Sequence, residues 1–386
     1  MAGLCTFCDN PLDGSEEHIV HSAIGGRKTS TRIVCGFHNN LFGRTIDRTL
    51  TDQLAVIGNL LGIRTGRNQP PATIRGLETL DGQRVDLEPG GRLVMPRSIV
   101  RDEPADGRND ISISSNTVAR VRELTAQYMR RFPGRRLENA TVVESIEPTC
   151  RPVRIDGGVG GEETHRAVAK IAILMLASEL GTEAMRGPST IAIRRFVLDG
   201  ADSADFVRMD YGTPFPDVAE LGSFPTHAHR VAVFADPISR VACGFIELFG
   251  TFRYTVLVSD AWDGSALALI YAVDPIAARQ AQARVVRSAP LTADRFRAIA
   301  SSSADGQPRL ERLWQVIDER VRDQRITRVI HEVFAEMFPP ERTEPPTVEE
   351  RARAAREITA RFMAEQLGIP YTRSLPLETI VKSEVE

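Results

Sequence analysis

The sequence predicts an α+β protein. A zinc-stabilised N-terminal module precedes a larger α+β region with an antiparallel meander and C-terminal helices. Cysteine and histidine residues pair at metal-ligand spacing within the first 40 residues, apolar segments separated by short turns occupy residues 229–273, and long stretches with helical periodicity follow. The chain has 386 residues, 42% of them hydrophobic, which is enough for two or three domains.

The first feature is a set of paired metal ligands. Two residues separate Cys5 from Cys8, and Cys35 and His38 repeat that spacing. Four such ligands suit the closed tetrahedral site of a structural zinc ion. Two matched pairs this close together favour zinc binding over unrelated buried thiols. In so short a segment, zinc binding supplies much of the folding free energy.

Residues suited to hydrolytic chemistry accompany these pairs. Glu17 and His18 lie between the pairs, and Asn39 follows the second. A neutral imidazole can remove a proton from water at neutral pH, and carboxylate and amide oxygens are ligands that Mg²⁺ accepts. Neighbours on a strand point to opposite sides, so both Glu17 and His18 can face one centre only if the strand bends near the Gly25-Gly26 loop.

Together these residues resemble the HNH, or ββα-metal, endonucleases, in a zinc-knuckle subgroup with C-x2-C, EH, GG and C-x2-H-N-N. The resemblance covers residues 5–50 and implies a ββα-metal nuclease module that cuts DNA phosphodiester bonds. It implies that His18 is the general base and that Glu17 and Asn39 bind a catalytic Mg²⁺ or Mn²⁺. It also implies a structural zinc site made of Cys5, Cys8, Cys35 and His38.

The sequence departs from the family pattern at three places. His21 stands where proline is usual, His38 replaces the last cysteine, and residues 29–33 contain no asparagine that could orient the base. His38 still suits zinc, so the departures affect the orientation of His18 alone, and a backbone carbonyl could take that role.

Two charged residues after Asn39 extend the hypothesis. Arg44, on the helix that follows, is a candidate phosphate clamp and completes the expected catalytic set. Asp47 is either a support behind the site or a charge on the helix surface, and the sequence leaves both open. By resemblance alone, such a nuclease would act on double-stranded DNA in bacterial restriction or antiviral defence against phages.

Charge and composition set further expectations. The net charge of −3 does not indicate a general nucleic-acid binder, but arginines concentrate between residues 116 and 136. This segment is either a phosphate-tracking face or a solvated helix. The absence of an apolar run of ~18 residues and of a signal peptide, with cysteines committed to zinc, predicts a cytoplasmic protein with no membrane partner. The arginines at the end of the segment are Arg130, Arg131, Arg135 and Arg136.

The predicted domains follow in chain order. Residues 1–66 form the nuclease module with a covering helix at 50–61. Residues 67–156 form an α+β middle segment with a hairpin at 73–87 and a helix ending near Phe132. Residues 157–386 form the C-terminal part, either alone or as one domain with the middle segment. Its predicted strands are 231–235, 241–248, 252–258 and 267–273, and its predicted helices are 163–180, 277–286, 292–301, 309–338 and 348–367.

Some residues of the C-terminal part have two interpretations. Lys170, within the helix 163–180, is either functional or extends to water from an apolar helix. His227 and His229 stand two residues apart and could share one strand face as metal ligands. Thr347 and Glu350 predict a capping box at the last long helix, and Gly368 predicts its end.

Two other classes of function stay open. The module could be a non-catalytic zinc-finger DNA-binding protein, against which Glu17, His18 and Asn39 together argue. Alternatively, the nuclease could be an effector activated by a nucleotide messenger bound in the C-terminal part, which would favour parallel strand-helix units around a crevice. The sequence does not decide what the C-terminal part recognises or senses, whether RNA replaces DNA, or whether the chain forms a homo-oligomer.

Overall fold

Helices and strands occupy three stretches of the chain, residues 17–61, 74–154 and 162–375. The structure is a computed structural model that describes residues 3–105, 108–116, 118–132, 142–146, 153–154, 158–200, 206–216, 221, 223–285, 291–299, 306–340 and 342–375. The first stretch holds β1 (Glu17–His18), β2 (Thr29–Ser30), α1 (Gly36–Arg44) and α2 (Ile46–Leu61). The second holds β3 (Ile74–Thr79), β4 (Arg84–Glu88), β5 (Arg92–Val94), β6 (Ile99–Ala105), β7 (Arg108–Ser114), α3 (Val118–Arg131), β8 (Val142–Ile146) and β9 (Val153–Arg154).

The third stretch contains the longest elements. It holds α4 (Glu162–Leu180), α5 (Ile191–Asp199), β10 (Val207–Met209), β11 (His229–Asp236), β12 (Val241–Leu248), β13 (Phe252–Ser259), β14 (Leu267–Asp274), β15 (Arg279–Arg284), α6 (Ala293–Arg297), α7 (Gln307–Met337), α8 (Val348–Leu367) and β16 (Tyr371–Leu375). The predicted mixture of helices with antiparallel sheets, and of helices towards the C-terminus, is confirmed. Among the described residues, no helix is both long and apolar enough to cross a membrane.

The chain divides into two compact units. One joins residues 1–72 to residues 156–320, and the other joins residues 73–155 to residues 321–386. The three predicted domains, 1–66, 67–156 and 157–386, stay a prediction.

A six-stranded antiparallel sheet forms the centre of the first unit. Its order is β10-β13-β12-β11-β14-β15. The predicted meander is confirmed for β11 to β13, but β14 pairs with β11 instead of β13. Three hairpin-connected strands with the fourth beside the first give the order of a Greek key. The link at residues 260–266 is long enough to cross the intervening strands.

Both faces of this sheet are covered. On one face α4 approaches so closely that a side-chain carbon at Gly244 would lie 2.9 Å from Cβ of Ala172. On the other face Phe234, Phe245 and Ile270 form an apolar cluster with Phe296 of α6. This double coverage explains why the four central strands are buried almost throughout. It also places α4, which carries Lys170, in the core.

Within the segment predicted as a helix at 277–286, residues 279–284 form a strand instead. β15 pairs antiparallel with β14 along its whole length. Ala281, Ala283 and Val285 alternate with polar residues, and Ala283 and Val285 pack on the apolar cluster of the sheet. The prediction was wrong because a period of two was taken for the period of a helix.

The first glycine of the GG motif packs against the residue that follows β14, and the second packs within the N-terminal segment. Gly25 has φ 94°, and a side-chain carbon there would lie 2.4 Å from Cβ of Pro275. A side-chain carbon at Gly26 would lie 1.7 Å from the carbonyl oxygen of Val20. Both positions therefore require glycine, one for its backbone conformation and both for the close approach.

The second unit contains small antiparallel sheets and two packed helices. β3, β4, β5 and β9 form one sheet, β6 pairs with β7, and β8 pairs with β16. Val329 and Val333 of α7 pack against Ala354 of α8. The predicted capping box of α8 is confirmed, as is its end at Gly368 in the left-handed conformation. These features are local in sequence, which is why they could be predicted.

Candidate functional site

Cys5, Cys8, Cys35 and His38 lie together at the start of the first unit. Their ligand atoms are all within 4.8 Å of one another. Cys8 Sγ lies 3.8 Å from Cys35 Sγ, and His38 Nδ1 lies 3.6 Å from the sulfurs of both Cys5 and Cys35. A tetrahedral zinc ion at about 2.3 Å from sulfur and about 2.0 Å from nitrogen separates its ligands by about 3.6–3.8 Å. The four residues could therefore hold a zinc-like ion.

Local backbone geometry builds this cluster. The turn after Cys5 closes through a hydrogen bond from its amide to the Asn10 carbonyl, at 2.9 Å. The amides of Phe7 and Asn10 donate to the sulfurs of Cys5 and Cys8, at 3.4 and 3.5 Å. Burial raises the pKa of the Cys8 thiol to about 12. A bound cation is what would hold such a thiol as the thiolate at neutral pH.

A second group of contacts joins α1 to β1. Asp13 accepts a hydrogen bond at 2.8 Å from the first amide of α1, at Gly36. One turn further, Asn39 donates from Nδ2 to Ser15 Oγ and to the Glu16 carbonyl, both at 2.8 Å. A carbonyl cannot donate, so the orientation of the amide is fixed and its oxygen points away from these partners. Asn39 is thus tied to the residue that precedes Glu17.

Glu17 lies in a buried charge cluster that the sequence did not reveal. Lys170 Nζ lies 2.5 Å from Glu17 Oε1 and 2.5 Å from Asp47 Oδ2. The ammonium also lies 5.1 Å from the ring centre of Phe42. All three charged side chains are at most 8% exposed. Lys170 does not extend to water, so that alternative was wrong. Asp47 is buried, so the alternative of a charge on the helix surface was wrong as well.

The charges of this cluster depend on one another. Burial opposes the charge on Lys170, but the carboxylates of Asp47 and Glu17 outweigh burial and raise the pKa of its ammonium. Burial raises the pKa of Glu17, and the Asp47 charge raises it further, while Lys170 opposes both. An unpaired ion in such a place would be costly. The carboxylate of Glu17 is therefore engaged by an ammonium rather than open to a divalent cation.

His18, on the same two-residue strand, is half-buried. Burial lowers its pKa, and the nearby charges of His21, Lys170 and Arg27 act in the same direction, opposed by Glu16. Its ring makes no hydrogen bond to any residue that the structure describes, so the expected orienting carbonyl is not found there. A side-chain carbon at Gly66 would lie 3.1 Å from its Nε2. The imidazole is neutral at pH 7 and lies under the Gly66 loop.

Arg27 lies between β1 and β2 and contacts the loop that contains Gly66. Its guanidinium donates to the carbonyls of Arg64 and Thr65, at 2.8 and 3.0 Å. Its Nε is buried and has no hydrogen-bond partner within the described chain. His21 accepts the Ala23 amide through Nδ1 at 3.1 Å. Burial also lowers the pKa of His21, with Asp47 opposing.

Arg44 lies at the end of α1 and is exposed. It lines an open pocket of about 420 Å³ together with Arg48 and Arg166. Phe42, which packs against Lys170, forms another part of the wall. Two acids, Asp52 and Glu163, also line this pocket, and Arg48 pairs with Asp52 at 3.4 Å.

His229 ties this segment to the sheet and is not a metal ligand. Its Nδ1 accepts the Phe249 amide at 3.0 Å, and its Nε2 lies 2.6 Å from the Ile24 carbonyl, to which it donates. Both ring nitrogens are therefore used, which removes the suggested metal site with His227. Burial lowers the pKa of His229 to about 4. Across the described residues, the Cys3His group is the one cluster of metal-ligand side chains.

Comparison with known proteins adds no analogy for this site: no protein-family model matches the chain, and searches of curated proteins and of solved structures give no match.

Sequence reasoning missed Lys170 as the partner of Glu17. One signal for Lys170 was present in the sequence. It is one of three lysines in a chain that otherwise uses arginine, and it lies in the middle of an apolar helix.

Proposed function

We propose that the chain is an endonuclease that hydrolyses phosphodiester bonds of double-stranded DNA, in the manner of the HNH endonucleases that residues 5–50 resemble. The contact of Asn39 with Glu16 is the observation that supports this most. It joins the helix that carries His38 and Asn39 to the strand that carries Glu17 and His18. The contact brings together two parts of the motif that are 23 residues apart in the sequence.

His18 is the proposed general base. Because burial lowers its pKa, the imidazole is neutral near pH 7 and can accept a proton. In the proposed reaction His18 takes a proton from water as the water oxygen attacks phosphorus. The bond from phosphorus to the 3′ oxygen breaks, and that oxygen leaves with the electron pair and is protonated by solvent. Arg27 and Lys170 supply fixed positive charge close to this imidazole.

The catalytic Mg²⁺ or Mn²⁺ that the resemblance implies would neutralise charge on the phosphate. It does not fit the arrangement of Glu17, whose carboxylate is 2.5 Å from an ammonium. No step of the proposed reaction is therefore assigned to an ion. Arg44, exposed beside an open pocket, is the proposed contact to a phosphate of the DNA backbone.

A role in restriction or antiviral defence follows from the resemblance alone and belongs to the same proposal. A zinc-finger protein without activity is the competing class. A variant that lacks the proposed base but keeps the fold distinguishes the two classes, because only a nuclease would then lose DNA cleavage.

The test is His18→Ala in a cleavage assay on supercoiled and linear duplex DNA, with Mg²⁺ or Mn²⁺ supplied. We expect cleavage to fall by at least about 100-fold, since a positioned base contributes that much or more. Zinc content and DNA binding should stay unchanged, because His18 is not one of the four zinc ligands.

His331→Ala, at an exposed histidine of α7, is the matched control and should cleave like the wild type. Cleavage by His18→Ala at the wild-type rate would refute the assignment of the base. Failure of the wild type to cut duplex DNA or RNA would refute the proposed activity.

A further inference from the structure

A second pocket, of about 110 Å³, lies between the β12–β13 turn and the start of α7. Arg230, Arg309 and Arg312 line it, together with His227 and the buried Glu247. None of the residues assigned to the proposed nuclease site belongs to it. The pocket therefore needs an explanation of its own.

Positive charge exceeds negative charge around this pocket. Among the described residues that line it, Glu247 is the one acid, and it is shared by three arginines. Arg309 Nη1 lies 3.2 Å, Arg253 Nε 3.4 Å and Arg230 Nη1 3.6 Å from its carboxylate oxygens. Arg312 pairs with no residue that the structure describes. A single carboxylate cannot accept hydrogen bonds from all the N–H groups of these arginines.

A histidine nitrogen in the wall has one long contact with the rest of the described chain. His227 Nε2 is buried and makes no hydrogen bond to the described chain, although it lies 3.5 Å from Asp274 Oδ1. That oxygen already accepts the amides of Ile276 and Ala277, each at 3.0 Å. A contact of that length leaves this nitrogen able to hydrogen-bond a bound water or ligand.

The shape of the pocket is fixed by close backbone contact. A side-chain carbon at Gly250 would lie 1.6 Å from the Thr226 carbonyl, so the turn packs against that residue and holds one wall in place. The first turn of α7 forms the facing wall and contains no acidic residue. The amides at the start of a 31-residue helix add to the positive potential.

Size and charge together define the ligand. The pocket, of about 110 Å³, has room for a group the size of a tetrahedral anion. Guanidinium groups converging from several directions suit phosphate oxygens. We propose that this pocket binds the terminal phosphate of a phosphomonoester, supplied by a free nucleotide or by a 5′-phosphorylated nucleic-acid end.

The experiment is isothermal titration of the full-length protein at low ionic strength without divalent ions. The probes are inorganic phosphate, adenosine 5′-monophosphate, and one single-stranded oligonucleotide with and without a 5′-phosphate. We expect the phosphorylated probes to bind, and Arg312→Ala to weaken that binding about tenfold or more, because one charge-assisted contact is lost. Arg312 is exposed and unpaired in the described chain, so its removal should not unfold the protein.

Arg322→Ala, at another exposed arginine of α7, is the matched control and should bind like the wild type. A nucleotide that binds as tightly as the phosphorylated oligonucleotide identifies a free nucleotide as the ligand, whereas much tighter binding of the oligonucleotide identifies a nucleic-acid end. Equal affinities of Arg312→Ala and Arg322→Ala, or no preference for the 5′-phosphate and no binding of free phosphate or nucleotide, overturn the proposal. Neither result depends on DNA cleavage, so the proposed nuclease activity is tested separately.

Discussion

Lys170 makes contacts that its neighbours in the sequence do not predict. A lysine in an apolar helix reaches water in most proteins. Here the helix is covered on all sides, and two carboxylates from β1 and α2 meet the ammonium. The partners lie 153 and 123 residues away. Nothing local in the sequence encodes such a contact, whereas the zinc ligands could be predicted because their spacing is local.

Replacing Lys170 should destabilise the protein strongly. In Lys170→Met the carboxylates of Glu17 and Asp47 lose their buried counter-charge, and breaking such a pair costs about 3–5 kcal/mol. The free energy of unfolding in urea measures the loss. A triple variant with Glu17→Gln, Asp47→Asn and Lys170→Met should recover much of it, because no buried charge remains.

Lys28→Met is the control for this experiment. Lys28 pairs with Glu179 at 3.3 Å, and Glu179 keeps Arg284 as a second partner at 2.7 Å, so the loss should be clearly smaller than in Lys170→Met. If Lys170→Met were as stable as Lys28→Met, the buried cluster would not contribute as the geometry indicates.

His229 should make stability depend on pH. Its pKa is lowered to about 4 in the folded chain, from an ordinary 6.5. The unfolded chain then binds a proton more tightly, so the stability is present above pH 6.5 and is lost as pH falls towards 4. A difference of this size corresponds to roughly 3 kcal/mol.

The comparison that isolates this residue is the pH dependence of urea unfolding in wild type and in His229→Gln. Between pH 6.5 and 4 the variant should lose less stability than the wild type, while His331→Gln, at an exposed site, should follow the wild type. Parallel curves for wild type and His229→Gln would contradict the buried neutral imidazole.

At the scale of elements, the N-terminal hairpin and α1 are too short to hold each other by packing alone. β1 and β2 have two residues each, and α1 has nine. The protein should contain about one zinc per chain, because four ligands close a structural site. Cys35→Ser should lose that zinc and make residues 3–45 sensitive to limited proteolysis.

Cys243→Ala is the corresponding control, because this cysteine is buried in β12 and is not part of the metal cluster. It should keep its zinc. Folded wild-type protein without zinc in elemental analysis would disprove the predicted metal centre.

The elements that the sequence predicted well are those with local signals. The bounds of α8 follow from its capping box and its final glycine, and the strands β11 to β14 follow from turns at their ends. The order of those strands could not be predicted in the same way. The position of β14 beside β11 depends on which edge of the sheet is free, and no residue near residues 260–266 specifies that.

For the whole molecule, the proposed nuclease needs more contacts to DNA than a module of about 60 residues offers. The arginines at the end of α3 are candidates: Arg130 and Arg131 end the helix, while Arg135 and Arg136 lie outside the described residues. Replacing all four by alanine should weaken binding to every sequence equally and flatten its salt dependence, since each neutralised phosphate contributes roughly one unit to the slope.

The matched control is Arg351→Ala, Arg353→Ala and Arg356→Ala, which removes three exposed charges of α8 from the same compact unit. This variant should keep the wild-type salt slope. An unchanged slope in the α3 variant would mean that α3 is a solvated helix and that DNA follows another surface.

The attachment of the N-terminal segment to later parts of the chain also sets the order of events during synthesis. Glu17 and Asp47 lack their counter-charge until Lys170 has been made, and the Ile24 carbonyl lacks its partner until His229 has been made. At about 5–20 residues per second, the ribosome needs on the order of ten seconds or more to pass from Leu61 to His229. A chain released early would therefore contain the whole nuclease-like motif without the supports that hold it, so truncated translation products should not cut DNA.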